Sequence, residues 1–495
     1  MTGRLGPRRL VLAIDEGTTG VTVLVLDGRL RVVGRAYREV RCSYPKPGWV
    51  EQDAAEVWTA TLAVAKAALR NAKASAADLA GIGITNQRET TVLWDRRTGK
   101  PVAPAIVWQD RRTSVRCAEL KPKWEAVVWE RTGLVLDPYF CATKLEWLLG
   151  QRNLRARAAA GSLAFGTIDS WLAWNLTGAH VTDPTNASRT MLWDIHAGAW
   201  DAELVSAFGI PAAVLPEVVP SSHPFGVTGV LGGAVPVASL VGDQQAALFG
   251  SRCFEAGQAK NTYGTGCFLL QHTGAKAVAS RNGLLTTRAA STGKGAQFAL
   301  EGSVFTGGAA IQWLRDQLGV IRTSPEVDRL AAQVPDSGGV VVVPAFTGLG
   351  APHWDPEARG AVLGLTRGSD RRHLARAVLD SIAFQSADLV EAMEKDSGRR
   401  IPELRVDGGA TRSKPLLQVQ ADLLQRPVVR PANIETTAMG AGMLAGLATD
   451  MWKIPDLKAA AKGDVKVSPR MEAEESRRRM DVWRQAVAAA RAFRP

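Results

Sequence analysis

Two short glycine–threonine turns stand out, one in each half of the chain: Gly17-Thr18-Thr19-Gly20 and Gly264-Thr265-Gly266. Backbone N–H groups in such turns, with threonine hydroxyls, hold phosphate oxygens. Two turns facing each other would clamp a polyphosphate, whereas each alone is equally a plain hairpin tip. No G-x-x-x-x-G-K-[ST] run is present, which excludes a P-loop as the mode. Asp15 lies just before the first turn; a carboxylate there can hold Mg²⁺ directly or through water, or cap the turn's own N–H groups. Arg88-Glu89 is either a surface ion pair or a polyol-recognition pair. In the second case the guanidinium donates to hydroxyl oxygens and the carboxylate accepts from hydroxyl hydrogens. Transfer of a phosphoryl group to an alcohol needs in-line positioning, neutralised charge and an acceptor for the hydroxyl proton. Asp243 can take that proton, and Gln244 can orient a second hydroxyl. Trp108, Tyr139 and Phe268 can wall the carbon side of a small substrate or serve as core.

These groups need elements to place them. Leu10 to Ile14 is an apolar run ending at Asp15, the first turn follows, and Val21 to Leu26 is a second β-branched run. Asp27-Gly28 then signals a tight turn into a third strand from Leu30 to Val33. Asp53 is a candidate N-cap for a helix on which Trp58, Leu62, Ala65 and Leu69 recur at helical spacing. The strand-like run Gly81 to Thr85 leads into Asn86-Gln87-Arg88-Glu89, and Val235 to Val241 leads into Gly242-Asp243-Gln244-Gln245. Polar groups at strand ends are where open sheets carry ligands. A short helix is expected at Ala246 to Phe249. Lys260 to Tyr263, the second turn and Cys267 to Leu270 then repeat the opening strand–turn–strand pattern. The expectation is an α/β chain of two related domains, 1–252 and 253–495, with a nucleotide site between them. Residues after about 450 read as a polar helical tail.

A length of 495 residues exceeds what one core usually serves, and 46% hydrophobic with 22% charged residues is globular. The five cysteines, Cys42, Cys117, Cys141, Cys253 and Cys267, are odd in number and widely spaced, which fits a reducing cytoplasm and no disulfide framework. No apolar run approaches the length of a membrane helix, so no integral membrane association and no leader are expected. The net charge of +12 is spread along the chain and mixed with acids. It suits attraction of an anionic nucleotide better than nucleic-acid binding, for which no motif is present.

Longer stretches carry a family resemblance. They are Tyr44-Pro45-Lys46-Pro47-Gly48-Trp49-Val50-Glu51, Gly83 to Thr91, Thr182 to Leu192, Gly242 to Gly250, Asn261 to Phe268 and Pro344 to Pro352. On these the chain resembles the FGGY carbohydrate kinases over roughly residues 8 to 450. The resemblance implies two actin-like ATPase (ribonuclease H-like) domains with the active site in the cleft between them. It implies phosphorylation of glycerol by ATP with Mg²⁺, giving sn-glycerol 3-phosphate and ADP. Glycerol and ATP/ADP are then the partners, with no nucleic acid, and a homo-oligomer is left open. Residue by residue it implies Asp243 as general base and Arg88, Glu89, Trp108, Tyr139, Asp243, Gln244 and Phe268 around glycerol. Thr18, Thr19, Gly20, Thr265, Gly308, Gln312, Gly409 and Ser413 match nucleotide contacts, and Asp15 matches the acidic residue near the metal. The first domain would bind glycerol and phosphates, the second the nucleotide.

The first turn departs from the family pattern. Gly20 stands where a serine is usual, and Thr22 where an arginine faces the phosphates. A fixed positive charge is therefore missing from the donor side, which a slower turnover or another basic residue would reflect. Two other readings remain beside the kinase for glycerol: a kinase of the same fold for another small polyol or sugar, and a nucleotide-binding regulator.

Overall fold

The computed structural model describes residues 9–293, 295–460 and 463–494. The first sheet contains β1 (Leu10–Gly17), β2 (Gly20–Leu26), β3 (Val32–Glu39), β4 (Leu79–Asn86) and β5 (Val235–Gly242). Their spatial order is β3-β2-β1-β4-β5, with Ser222–Thr228 added at the β5 edge. β1, β4 and β5 run parallel, while β2 pairs antiparallel with β1 on one side and with β3 on the other. The second sheet repeats this plan with β6 (Ala259–Tyr263), β7 (Cys267–Gly274), β8 (Phe298–Val304), β9 (Leu404–Asp407) and β10 (Val428–Arg430). Its order is β8-β7-β6-β9-β10, and β6, β9 and β10 are parallel. Leu285–Arg288 and Val465–Val467 extend its two edges. The two halves share one strand order and one set of directions, which is the structural counterpart of the strand–turn–strand repeat.

The helices that matter for the site are α1 (Ala54–Asn71), α2 (Asp243–Gly250), α3 (Ala309–Asp316), α4 (Lys414–Leu424) and α5 (Thr436–Ala448). Asp53 caps α1, its carboxylate accepting from the Ala55 N–H at 2.8 Å. β1 is apolar on both faces because both faces are covered. Leu10, Leu12 and Ile14 share a core with Val57, Val64 and Ala68 of α1. Val11 and Ala13 face the other way, into a core with Ala441, Leu444 and Ala445 of α5. A helix from late in the chain thus closes the first sheet.

α2 and α5 meet backbone to backbone. A Cβ on Gly440 would lie 1.9 Å from the Ala246 carbonyl oxygen, and one on Gly250 would lie 2.0 Å from the Thr436 carbonyl oxygen. Only glycine permits that approach. The helix that starts at Asp243 is therefore seated on a helix that follows the second sheet's β10.

Several boundaries differ from the sequence expectation. β1 runs on to Gly17, so Asp15 lies within a strand. β3 starts at Val32, because Leu30 sits in the turn with φ 59. α2 begins at Asp243. The C-terminal stretch is more than a polar tail. Ala473–Ala492 buries Met480, Trp483, Ala486, Val487 and Ala490, and Trp483 stacks on Phe384 with ring centroids 5.3 Å apart. Arg478 and Arg479 both pair with Glu475 on its polar side.

Gly440→Val should force α2 and α5 apart at a cost on the order of 3 kcal/mol. Thermal unfolding would show a lowered midpoint; an unchanged midpoint would mean the two helices are not in that contact.

Candidate active site where the two halves meet

β4 delivers its polar end into the junction. The Thr90 N–H donates to the Arg88 carbonyl at 2.8 Å, and Glu89 between them has φ 62. This is a γ-turn with a positive central φ, a conformation costing on the order of 1–3 kcal/mol for a non-glycine residue. It accompanies a Glu89 carboxylate that is buried, beside Arg88 and Arg189.

Arg88 and Glu89 form a closed cluster with two residues that the sequence reading left without a role. The Arg88 guanidinium makes a bidentate pair with Glu301 of β8, at 2.6 and 2.9 Å. Arg189 donates through Nε to Glu89 at 2.5 Å and through Nη2 to Glu301 at 3.2 Å. Two cations thus face two anions, and none of the four side chains is more than 2% exposed. Such a cluster survives burial only because each charge has its partners. Burial pushes the Glu301 carboxyl up, but Arg189 and Arg88 outweigh it and hold the group at about 2. Nη1 of Arg189 is buried without a partner among the described residues, a donor left for a ligand oxygen or water.

Arg88 also reaches the start of α2. Its Nε lies 3.1 Å from Oδ1 of Asp243, whose side chain is 30% exposed, and its Nη1 lies 3.1 Å from Oε1 of Gln245. The Gln244 N–H donates to Asp243 at 2.7 Å, and its carboxamide nitrogen lies 3.3 Å from the other oxygen. Lys260, fully buried on β6, donates to Oε1 of Gln244 at 2.5 Å and to the Thr262 hydroxyl at 2.8 Å. That bond orients the Gln244 carboxamide with its NH₂ group turned toward Asp243. A chain of polar contacts therefore runs from the second sheet through Gln244 to Asp243. Asp15 belongs to the same region. Burial pushes its carboxyl up to about 8, and Asp243 and Glu435 push it further in the same direction.

The aromatic groups assemble in part. Trp108 and Tyr139 pack edge to face at 5.6 Å, and the Arg189 guanidinium lies 5.6 Å from the Tyr139 ring centroid. The Trp108 indole donates to the Thr18 hydroxyl at 2.8 Å, tying this wall to the first glycine–threonine turn. Phe268 comes from the second half, on β7 opposite Thr262 and Ser303. Its ring makes no contact with either aromatic among the described residues, and its carbonyl accepts from Lys260 at 3.3 Å.

The second turn is stitched to the start of α3. The Gly264 carbonyl accepts from the Gly308 N–H at 2.9 Å, and the Thr265 carbonyl from Gly307 and Ala309 at 2.8 and 3.1 Å. Thr265 and Gln312 are exposed beside it. Gly408 has φ 87, and a Cβ there would lie 2.5 Å from the Tyr263 carbonyl oxygen; a Cβ on Gly409 would meet open space. Ser413 is already engaged: its hydroxyl donates to Asp328 at 2.6 Å and accepts from the Leu416 N–H at 3.2 Å as the cap of α4. In the first turn, Thr19 is exposed and Thr18 and Gly20 are half-buried. Thr22 sits in register between Asp15 and Tyr37.

Known family patterns match both halves of the chain. The N-terminal domain of the FGGY family of carbohydrate kinases matches residues 10–250, and its C-terminal domain matches residues 259–449. The chain belongs to the FGGY family of carbohydrate kinases. It is 56% identical over 484 residues to a glycerol kinase of Trichlorobacter lovleyi, covering 96% of this chain and 98% of that one. A glycerol kinase of Deinococcus radiodurans is 53% identical over 493 residues, covering 98% of both. Among solved structures, the Plasmodium falciparum glycerol kinase with ADP superposes with a TM-score of 0.92 at 33% identity over 98% of both chains. A xylulose kinase from Rhodospirillum rubrum gives 0.85 at 26% identity over 98% of this chain and 99% of that one. The two-domain α/β kinase fold of this family is thus present along nearly the whole chain. The chain is accordingly a phosphotransferase with an alcohol group as acceptor.

The Glu301 carboxylate is held below its ordinary value of 4.5. Its pairing therefore stabilises the fold fully above that value and is lost as pH falls toward about 2. Glu301→Gln should cost on the order of 3–5 kcal/mol at neutral pH and flatten this part of the acid limb in a stability-against-pH series. A variant as stable as the parent, with the same acid limb, would contradict the cluster.

Proposed function

We infer that this chain transfers the γ-phosphoryl group of ATP to glycerol, giving sn-glycerol 3-phosphate and ADP. The observation that carries the reading is the convergence of Arg88, Glu89, Asp243 and Gln244 beside the Trp108–Tyr139 wall, in a chain more than half identical to glycerol kinases.

In this reading Glu89 accepts from a glycerol hydroxyl, and Arg88 donates to hydroxyl oxygens from a guanidinium already fixed by Glu301. Tyr139, Trp108 and Phe268 cover the carbon side, and the Gln244 carboxamide orients a second hydroxyl. The reacting hydroxyl faces Asp243. As its oxygen bonds to the γ-phosphorus, its proton passes to the Asp243 carboxylate, and the bond from that phosphorus to the bridging oxygen breaks to leave ADP. Thr18, Thr19 and Gly20 would hold phosphates from one side and Thr265 from the other. Gly308, Gln312, Gly409 and Ser413 border the rest of the nucleotide, Ser413 through its place at the α4 cap.

Asp15 fits a Mg²⁺ ion that arrives with the nucleotide. The carboxyl is pushed up to about 8 by burial and by the neighbouring acids, the condition a divalent cation relieves. Among the described residues no three His, Cys, Asp or Glu side chains group closely enough to hold a metal alone. Phosphate oxygens and water would supply the other ligands. The ion's chemistry there is neutralisation of phosphate charge.

No described helix is long and apolar enough to cross a membrane. Five free cysteines, four of them buried, support placing the reaction in a reducing cytoplasm.

A coupled ADP-release assay should show turnover with glycerol and little with other polyols or sugars. Release with a different acceptor alone would overturn the substrate. Asp243→Asn should lower kcat by at least about 10³-fold, within the usual worth of a positioned base, while ATP still binds; a largely active variant would refute the base. Lys260→Met should raise the KM for glycerol about tenfold by freeing Gln244, at the worth of one charged hydrogen bond, and Lys260→Arg should recover part of it. An unchanged KM in the Met variant would detach Lys260 from the acceptor site.

A further inference from the structure

The first turn lacks a basic side chain at position 22, yet its face of the sheet carries one more polar group. Asp15, Thr22 and Tyr37 are direct neighbours across β1, β2 and β3. Neighbours in register project to one face, so these three side chains share a side of the sheet. Two residues further along, the same face carries Gly17, Gly20 and Glu39.

The Tyr37 ring leans along this row toward the turn. A Cβ on Gly20 would lie 2.6 Å from the Tyr37 hydroxyl oxygen and 2.7 Å from its Cε2, as well as 2.7 Å from the Arg38 carbonyl oxygen. The phenol thus lies over Gly20, with its oxygen at the residue that closes the Gly17–Gly20 turn. Residue 20 is glycine where the ring needs the space. Tyr37 remains 51% exposed, and its hydroxyl has no hydrogen-bond partner among the described residues. An O–H donor beside a turn that offers N–H donors can meet the same anion's oxygens.

We propose that the Tyr37 hydroxyl donates a hydrogen bond to a phosphate oxygen of the bound nucleotide, as a donor-side residue of the phosphoryl-transfer site. The inference rests on the reading of the Gly17–Gly20 turn as a phosphate holder. It makes Tyr37 a neutral donor on the side where Thr22 supplies no charge. The competing role is packing: an aromatic ring covering a bare glycine stabilises a sheet by itself.

Tyr37→Phe separates the two, because it keeps the ring and removes the hydroxyl. Calorimetric ATP binding to Tyr37→Phe should weaken about tenfold, the worth of one hydrogen bond to a charged group. Adenosine binding and the thermal midpoint should be unchanged. With saturating glycerol, kcat/KM for ATP should fall by a similar factor while KM for glycerol stays within about twofold. Tyr37→Phe binding ATP as tightly as the parent overturns the inference, whether or not Tyr37→Ala weakens it through lost packing. The binding arm does not depend on turnover. A parent chain inactive on glycerol would sink the functional reading alone, whereas equal ATP binding by parent and Tyr37→Phe would sink this inference alone.

Discussion

The guanidinium of Arg88 belongs to the first sheet, and the carboxylate that grips it with both oxygens belongs to the second. Much of the proposed acceptor site depends on that pair. Arg88 touches Asp243 and Gln245 at the start of α2, while Glu301 also holds Arg189, which in turn holds Glu89. A buried guanidinium without its carboxylate would be costly by several kcal/mol. The geometry around Asp243 is therefore conditional on the two halves being together. The glycine seam between α2 and α5 enforces the same condition mechanically, since it seats the Asp243 helix on a helix that follows the second sheet. Lys260 adds a third link, from β6 to Gln244. Three contacts of different physical kinds thus tie the acceptor groups to the opposite half.

Charge is distributed unevenly across the site. On the acceptor side, the cations Arg88, Arg189 and Lys260 are buried and engaged, and they compensate Glu89 and Glu301. On the donor side, Asp15 feels Asp243 and Glu435 as like charges, and burial works against its ionisation. The donor side is thus short of positive charge, and an anionic nucleotide alone would deepen that shortfall, so in the proposed reaction the compensating charge would have to come from a divalent cation. An alcohol oxygen attacking a polyphosphate needs the opposite balance in the transition state. The site is organised so that the substrate complex completes the field.

Local pattern made part of this legible. The Asp53 cap, the two glycine–threonine hairpins and the polar ends of β4 and β5 follow from short-range rules of propensity, capping and strand termination. The repeat was visible as two strand–turn–strand segments, and the structure extends it to five strands in the same order. What escaped were long-range contacts. Glu301 lies between Leu300 and Gly302 in a strand, and nothing local marks it as the partner of a residue more than two hundred positions earlier. Its one signal was a charge inside a buried strand, and Lys260 carried the same signal. Arg189 stood inside a quoted motif without a role. The γ-turn at Glu89 and the seating of α5 on the first sheet are likewise tertiary, because neighbouring elements impose them against local preference. The C-terminal helix looked polar by composition, yet its buried stripe ending near Ala490 closes the second half.

The central claim is geometric: an alcohol hydroxyl held by groups locked across the two halves points at Asp243. A crystal structure with glycerol and a non-hydrolysable ATP analogue measures it directly. The account predicts one glycerol hydroxyl oxygen within about 3 Å of an Asp243 carboxylate oxygen, a hydrogen-bonding separation. It also predicts that the γ-phosphorus lies beyond that hydroxyl and that Arg88 is still paired with Glu301. Glycerol bound with every hydroxyl turned away from Asp243, or an Arg88–Glu301 pair broken in the complex, would contradict it.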